Sequence, residues 1–200
     1  MKDSIDPAKQ RNEDTAFRNR LRRERIIARE ALPADEHARR SALVLDHLAG
    51  LLSSRGPSLL GFYWPIRAEV DCRPLVSTLL ARGWRACLPH ISDRNQAMRF
   101  REWTPKTKMV EGEYGIPTVE AGPFVEPDLL LIPVNVFDTR GFRLGYGGGY
   151  YDRTISALPK WPDLIGIGFD LARVDSIRPQ VSDIPMKAVA TELCAEVYSK

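Results

Sequence analysis

The residues of this sequence best suited to chemistry form a glycine-rich loop ahead of a predicted helix. Glycine has no β-carbon, so such a loop can adopt positive φ angles and bring its backbone close to a ligand. The predicted helix runs from Tyr150 to Leu158, and its N-terminus offers unpaired N–H groups and the positive end of the helix dipole. The loop therefore predicts a binding site for nucleotide phosphates. Its glycines are Gly145, Gly147, Gly148 and Gly149.

Two charged side chains flank this loop and suit the same ligand. Arg143 supplies a planar, fork-shaped cation that matches phosphate oxygens. Asp152 can hold a magnesium ion among those oxygens. The competing interpretation is a flexible turn in which Asp152 only complements the helix terminus. We favour the phosphate site because four glycines in five residues cost conformational entropy.

The loop does not match the common phosphate-binding motifs. A Walker loop needs Gly-Lys followed by Ser or Thr, and a dinucleotide fingerprint needs a third glycine where this chain has Tyr150. That fingerprint also begins directly after a strand. The nearest predicted strand, Asp128 to Ile132, ends well before Gly145.

The overall composition excludes several classes of function. The 200 residues are 44% hydrophobic and 28% charged, which predicts one domain with a sizeable core. No apolar run reaches membrane-spanning length and no signal-peptide core is present, so we expect a cytoplasmic protein without a membrane partner. The three cysteines and three histidines are scattered, which argues against a disulfide framework, a zinc site or a catalytic triad. The net charge of +3 is too small to imply nucleic acid binding.

The N-terminal region is predicted to contain a tail and an arginine-rich helix. Residues 1–13 are polar and predict a disordered tail, which leaves residues 14–200 as the folded domain. Asp14 or Thr15 can cap a helix that runs to about Ala31. Its arginines form one narrow stripe: Arg18, Arg22, Arg25 and Arg29.

The arginine stripe allows two interpretations. Charge runs on helices are usually solvated faces. A basic stripe can also bind a nucleic acid backbone, although no aromatic residues interleave this one as they do in single-strand platforms.

The rest of the chain alternates predicted strands and helices. A second helix starts after Pro33 and ends near Ser53, and Lys106–Pro127 reads as a long surface loop. Alternating β and α elements with buried strands predict an α/β fold with a parallel sheet. The predicted strands are Leu59–Tyr63, Arg85–Leu88, Asp128–Ile132, Leu164–Phe169 and Ala188–Leu193, with Met98–Trp103 as an extra edge strand, and the helices are Pro74–Ala81 and Tyr150–Leu158.

Ligands of open parallel sheets bind beyond the carboxyl ends of the strands. Tyr63–Asp71 follows the first strand, the glycine loop lies downstream of the third, and Asp170–Asp183 follows the fourth. The topology predicts that these three segments converge.

Together these segments resemble the 5-formyltetrahydrofolate cyclo-ligase family, also called 5,10-methenyltetrahydrofolate synthetases. The stretch from Arg143 to Asp152 is the specific part, and weaker matches occur in the family's order over residues 15–193. Those are the arginine-rich helix, Phe62-Tyr63-Trp64-Pro65, Glu69-Val70-Asp71, Gly115-Ile116-Pro117, Pro127 to Pro133, Phe137-Asp138, Gly166-Ile167-Gly168-Phe169 and Thr191-Glu192.

The resemblance implies a single-domain, three-layer α/β/α fold with a mostly parallel sheet. It also implies cyclisation of 5-formyltetrahydrofolate, with or without a polyglutamate tail, to 5,10-methenyltetrahydrofolate, with ATP and Mg²⁺ required. The formyl oxygen would be phosphorylated, N10 would attack the activated carbon, and phosphate would leave. Positioning and charge neutralisation drive such chemistry, so no protein nucleophile is needed. We expect a monomer that binds no nucleic acid.

The resemblance also assigns roles by position. Arg143 and Tyr151 would act in catalysis, and Asp152 and Asp183 would bind magnesium. ATP would contact Arg18, Arg22, Arg143, Leu144, Gly145, Tyr146, Gly147, Gly148, Gly149, Tyr150 and Tyr151. The folate would contact Trp64, Glu69, Gly148, Gly149 and Tyr150, with the carboxylate accepting N–H donors of the pterin and the indole packing on its face.

Simpler interpretations remain for several of these residues. Glu69 can be an ordinary loop carboxylate, Asp183 a turn former before Pro185, and Trp64 plain core packing. One of the two tyrosines after the glycine loop can serve helix-to-sheet packing.

Four residues depart from the family pattern. Arg18 replaces a lysine, Ala172 and Arg173 stand where a glutamine is usual, and Ser182 replaces a histidine before Asp183. These departures motivate a second hypothesis, a non-catalytic relative that binds and buffers 5-formyltetrahydrofolate.

Overall fold

The computed structural model describes residues 7–198, in which helices pack around one large sheet. The helices are α1 (Pro7–Glu30), α2 (Ala34–Leu52), α3 (Arg73–Ala81) and α4 (Tyr150–Ala157). The strands are β1 (Leu59–Gly61), β2 (Arg85–His90), β3 (Arg99–Trp103), β4 (Met109–Glu111), β5 (Pro117–Val119), β6 (Phe124–Val125), β7 (Leu129–Pro133), β8 (Val136–Asp138), β9 (Arg143–Leu144), β10 (Asp163–Ile167), β11 (Arg173–Val174), β12 (Ala188–Ala190) and β13 (Ala195–Val197).

The large sheet has a parallel centre and antiparallel edges. Its strand order is β13-β12-β10-β7-β1-β2-β3-β6. The five strands from β12 to β2 pair in parallel, whereas β13, β3 and β6 pair antiparallel to their neighbours. The predicted mostly parallel sheet is therefore confirmed. The chain adds β2 on one side of β1 and β7 on the other, which makes the gap between β1 and β7 a topological switch point.

The two faces of this sheet are covered by different helices. In β7, Leu129 and Leu131 face a core built with α2 and α3, and Leu130 and Ile132 face a second core that contains Ile155 of α4. Successive strand residues point to opposite faces, so a strand that is apolar throughout must be buried on both sides. The predicted three-layer α/β/α arrangement is confirmed.

Helix α1 packs on a small separate sheet of order β11-β8-β9. Its Leu21 joins Val136, Leu144 and Ile177 in a third apolar cluster. Because β9 leads directly into the glycine loop, this packing sets the arginine stripe of α1 beside that loop.

The prediction of a disordered tail over residues 1–13 is wrong for residues 7–13, and its remaining part lies outside the described residues. Helix α1 begins at Pro7, not at Asp14 or Thr15. Proline suits the first helical position because the N–H it lacks has no partner there. The start of the helix is also docked, since Arg178 donates to Asp14 at 3.0 Å.

Two further predictions need correction. Lys106–Pro127 is not simply a loop, because it contains the β4–β5 hairpin, closed by a hydrogen bond from Gly112 N–H to Ile116 O at 3.0 Å, and the short strand β6. Strand β3 is not the sheet edge, since β6 covers it. Strands of two or three residues are too short to produce a readable alternation.

None of the helices within residues 7–198 combines the length and apolar character needed to cross a membrane.

Candidate active site

A cleft of about 880 Å³ opens beyond the carboxyl ends of β1, β2 and β7. It lies at the switch point, where a ligand site is expected for this topology. Of the three segments predicted to converge, Tyr63–Glu69 and the glycine loop do, but only Gln180–Asp183 of the third segment lines the cleft. All predicted site residues line it: Arg18, Arg22, Trp64, Glu69, Arg143, Leu144, Gly145, Tyr146, Gly147, Gly148, Gly149, Tyr150, Tyr151, Asp152 and Asp183.

The glycine loop joins strand β9 directly to helix α4. A strand therefore does precede it, although a strand of two residues could not be recognised in the sequence. Gly147 has φ +100° and Gly149 has φ +64°, both in the region that favours glycine. Among the described residues, the N–H groups of residues 145–152 have no hydrogen-bond acceptor. The loop thus presents a row of free donors at a helix N-terminus, which suits an anion.

Arg143 is buried at the base of the loop and is fixed by two partners. Its guanidinium donates to the Ile184 carbonyl at 2.6 Å and to Asp152 Oδ1 at 3.1 Å. The same Asp152 oxygen accepts the Ile184 N–H at 3.0 Å. Within residues 7–198, Asp152 Oδ2 accepts no hydrogen bond, so one carboxylate oxygen is available to a cation.

Arg18 and Asp183 form a buried ion pair, with side-chain exposures of 8% and 10%. The two Nη atoms contact the two carboxylate oxygens at 2.5 and 3.0 Å. Asp183 also accepts the Gln180 N–H at 2.7 Å, so it closes a turn as the simpler interpretation supposed. Burial would raise the pKa of Asp183, but the hydrogen bonds from Arg18 and Gln180 outweigh it and lower the pKa.

The arginine stripe of α1 is turned toward the protein. Arg18 and Arg29 are buried, so the solvated-face interpretation is wrong for both. Arg22 donates to the Gly145 carbonyl at 3.0 Å and to Asn19 Oδ1 at 2.6 Å. Burial, and then the charge of Arg18, lowers the pKa of Arg22. Among the described residues Arg22, unlike Arg18, has no carboxylate partner, so its charge can attract an anionic ligand to the loop.

Glu69, on the segment that follows β1, also lines the cleft and is 6% exposed. It accepts the Ile66 N–H at 3.0 Å and the Tyr146 hydroxyl at 2.9 Å. Burial raises the pKa of Glu69, against the opposite effect of these two hydrogen bonds and of the arginines Arg29 and Arg67. A buried carboxylate of this kind accepts N–H donors strongly because little water competes for it.

The remaining predicted side chains are divided between core and cleft. Trp64 packs against the core formed with α2 and α3, lines the cleft, and has the Arg73 guanidinium 4.4 Å from its ring centroid. Tyr151 packs against the core formed with α4, and burial raises its pKa, so its hydroxyl stays neutral. Tyr150 contacts the Tyr114 hydroxyl at 2.9 Å. The packing interpretation thus applies to Tyr151.

Sequence reasoning missed two residues that shape the cleft. Arg29 donates to the Tyr146 hydroxyl at 3.0 Å, and its position on the stripe with Arg18 and Arg22 was the available signal. Tyr114, in the turn of the β4–β5 hairpin, lines the cleft and contacts the hydroxyl of Tyr150 at the start of α4. It carried no signal, because the hairpin itself was not predicted.

Two of the departures from the family pattern lie away from the cleft. Arg173 pairs with Asp170 and Glu196, and neither it nor the buried Ala172 is among the described residues that line the cleft. Ser182 does line it, beside Asp183.

The two predicted magnesium ligands, Asp152 and Asp183, differ in whether they have an oxygen free for a cation. Within residues 7–198, no group of three or more His, Cys, Asp or Glu side chains is placed to hold a metal. Magnesium bound to a nucleotide needs only one or two carboxylates, because phosphates and water fill the other positions. The free Asp152 Oδ2 fits that arrangement, whereas both Asp183 oxygens are already hydrogen-bonded.

Comparison with known proteins places this chain in one family. The 5-formyltetrahydrofolate cyclo-ligase of Haemophilus influenzae is 26% identical over 183 residues, covering 86% of this chain and 96% of that protein. The enzyme of the same name from Escherichia coli K12 is 31% identical over 130 residues, covering 62% of this chain and 71% of that protein.

Solved structures agree with the sequence comparison. The NMR structure of Aquifex aeolicus 5,10-methenyltetrahydrofolate synthetase has a TM-score of 0.80 and 25% identity, covering 92% of this chain and 94% of that one. A 5,10-methenyltetrahydrofolate synthetase from Mycoplasma pneumoniae, 24% identical with a TM-score of 0.72 over 88% and 98% of the two chains, shares the fold. A family model matches residues 11–192, and this chain therefore belongs to the 5-formyltetrahydrofolate cyclo-ligase family.

Proposed function

We propose that this protein cyclises 5-formyltetrahydrofolate to 5,10-methenyltetrahydrofolate with consumption of ATP. The observation that carries the proposal is that one cleft joins a phosphate-type loop to a buried carboxylate. The glycine loop with its arginines suits a nucleotide, and Glu69 suits the N–H edge of a pterin. Both ligands must meet in one site if a phosphoryl group is to pass directly between them.

At the loop end, the free N–H groups of residues 145–152 and the cations Arg143 and Arg22 would hold the phosphates. Arg143 enters this role preorganised, because its contacts with Ile184 and Asp152 fix the guanidinium before any ligand binds. Fixed donors and cations stabilise the charge that develops during transfer at little reorganisation cost.

Arg18 reaches phosphate only by exchanging its partner. In the structure it is committed to Asp183 and to the Arg178 carbonyl. Its role as an ATP contact, and that of Asp183 as a second magnesium ligand, would both require this pair to separate. Asp152 needs no such change and is the side chain that would hold magnesium.

At the other end, the apolar walls formed by Leu88 and Ile132, with Trp64, would cover the pterin while Glu69 accepts its N–H groups. ATP with its magnesium ion supplies the phosphoryl group that turns the formyl oxygen into a leaving group. The protein's part is to hold that oxygen in line with the γ-phosphate, keep N10 near the formyl carbon, and exclude water. The phosphate carries the oxygen away when the N10–carbon bond closes the ring.

Absorbance of the methenyl product tests this proposal. The protein would be incubated with 5-formyltetrahydrofolate and Mg²⁺, with and without ATP. We expect an ATP-dependent rise with one ADP formed per ring closed. Folate binding without a rise would refute the proposed reaction and support the non-catalytic alternative.

Gel filtration tests the expected monomer, in which one chain supplies all the groups named above.

A further inference from the structure

Tyr146 belongs to the glycine loop, but its hydroxyl is directed to the other end of the cleft. It donates to Glu69 Oε1 at 2.9 Å and accepts from Arg29 Nη2 at 3.0 Å. The residue is 44% exposed, but burial raises the pKa of its hydroxyl, which therefore stays protonated and able to donate. One side chain thus connects the loop suited to phosphate with the carboxylate suited to the pterin.

Arg29 is a fixed anchor for this contact. The residue is 5% exposed, and its guanidinium also donates to Asn135 Oδ1 at 2.8 Å and to the Arg67 carbonyl at 3.0 Å. With three partners around a planar fork it has little freedom to follow Tyr146 if the loop moves.

The turn that carries Glu69 is held by the same helix. Arg67 and Ala68 have φ of +49° and +57°, a conformation that non-glycine residues adopt at a cost. The Arg67 carbonyl accepts from Arg29, and its guanidinium pairs with Glu30 at 2.7 Å. The strained turn, the end of α1 and the glycine loop therefore meet at one hydrogen-bonded junction.

We propose that Tyr146 is a positioning residue through which occupancy of the glycine loop and substrate binding at Glu69 favour each other. The proposal rests on the proposed function and adds a regulatory link within its site. The Tyr146–Glu69 hydrogen bond is formed before either ligand binds, and a ligand that holds the loop in place also holds this hydroxyl against Glu69, so the second ligand meets a carboxylate held more firmly. The conformational entropy of the loop and of Glu69 is then lost only once, so each ligand favours binding of the other. By thermodynamic linkage each ligand must change the affinity for the other by the same factor.

Calorimetry tests the coupling without turnover. Affinity for 5-formyltetrahydrofolate would be measured with Mg²⁺ in the absence and presence of a non-hydrolysable ATP analogue, and the reverse titration would also be run. For the wild type we expect the analogue to tighten folate binding by about fivefold or more. In Tyr146→Phe, which keeps the ring and removes both hydrogen bonds, we expect the factor to fall below about twofold.

Tyr198→Phe is the matched control. Among the described residues the Tyr198 hydroxyl has no hydrogen-bond partner, and the residue does not line the cleft. It undergoes the same chemical change and should retain the wild-type coupling factor. Equal loss of coupling in both variants would overturn the role of Tyr146.

A pH profile separates positioning from general damage. Glu69 is surrounded by Arg29, Arg67, Tyr63, Tyr146 and Tyr151, and the Tyr146 hydroxyl donates to its ionised form. Removing that donor should move the acidic limb of folate binding to higher pH in Tyr146→Phe and leave it unmoved in Tyr198→Phe.

The outcomes distinguish this inference from the proposed function. A wild type that turns over and binds both ligands independently, or a Tyr146→Phe variant that keeps full coupling, would overturn the inference and leave the proposed function standing. Absence of folate binding to the wild type would overturn both.

Discussion

The end of the cleft at the glycine loop and the end that contains Glu69 differ in how their charged side chains are partnered. At the glycine-loop end, arginines and aspartates are already paired, as Arg18–Asp183 and Arg143–Asp152. At the other end a single carboxylate, Glu69, is held by a hydroxyl and a backbone N–H. The pKa of Asp183 is lowered by its partners, whereas the pKa of Glu69 is raised by burial.

This contrast indicates two modes of recognition. Paired charges and free N–H groups suit a strongly charged ligand. Their contribution to binding depends on charge neutralisation. A buried carboxylate such as Glu69 binds a ligand that presents N–H donors in the right direction. Its contribution to binding depends on geometry and on its own ionisation. Variants of the two ends should therefore fail in different kinetic parameters.

The largest effect is expected at Arg143. Arg143→Ala removes a preorganised cation where phosphate charge develops, and kcat/KM should fall by about 10²–10³-fold, mainly through kcat. Arg143→Lys keeps the charge without the fork and should fall less. A thermal melt controls for loss of the Ile184 contact. Unchanged turnover by a folded Arg143→Ala protein would remove Arg143 from the mechanism.

The next largest effect is expected at Glu69, and it should appear in the KM for 5-formyltetrahydrofolate. Glu69→Gln should raise the KM for 5-formyltetrahydrofolate by about 10–100-fold, the cost of a hydrogen bond to a charged group, with the KM for ATP little changed. Parallel changes in both KM values would contradict the separation of the two ends.

Glu69 should also give folate binding by the wild type a defined pH dependence. Because burial raises the folded-state pKa of Glu69, folate affinity should decline on acidification at a higher pH than for an ordinary glutamate. The unfolded state ionises this glutamate at a lower pH than the folded state does, so the cost to stability is absent below the unfolded pKa, grows between the two pKa values and is complete above the folded pKa. Glu69→Gln should therefore match or exceed the wild-type melting temperature at pH 7, which separates lost binding from lost fold.

Replacement of Asp152 should mainly affect the Mg²⁺ requirement, whereas replacement of Asp183 should mainly affect stability. Asp152→Asn keeps an oxygen for Arg143 and Ile184 but loses the free carboxylate charge, and the Mg²⁺ concentration for half-maximal rate should rise at least about tenfold. Asp183→Asn leaves the buried Arg18 without its counter-ion and should cost about 3–5 kcal/mol of stability, with a smaller change in Mg²⁺ requirement. The reverse pattern would make Asp183 the principal metal ligand.

The large-scale fold and many of the residues that line the cleft were predictable from the sequence. Apolar runs such as Leu129–Ile132 give a strong signal for buried parallel strands, and topology then brings their carboxyl ends together. The glycine loop was visible because its composition is costly unless it is used.

The contacts inside the site were not predictable. Whether Arg18 faces solvent, phosphate or Asp183 depends on a partner 165 residues away, and the link from Tyr146 to Glu69 spans 77 residues. Short elements such as β9 and the β4–β5 hairpin were missed because they are stabilised by neighbours in space and not by their own periodicity.

The smallest effect is expected at Gly145, where it tests close approach of a ligand to the loop backbone. A β-carbon there meets nothing within 4 Å, and its φ lies outside the positive range, so Gly145→Ala should leave the melting temperature unchanged. If phosphate oxygens bind against this backbone, the added methyl group should raise the KM for ATP by about five- to tenfold, or ~1 kcal/mol. Gly50→Ala, in α2 with equally open space, is the matched control. Gly147→Ala provides the contrast, since φ of +100° adds backbone strain and should lower the melting temperature as well. An unchanged KM for ATP in Gly145→Ala would move the phosphates away from this part of the loop and toward the N-terminus of α4.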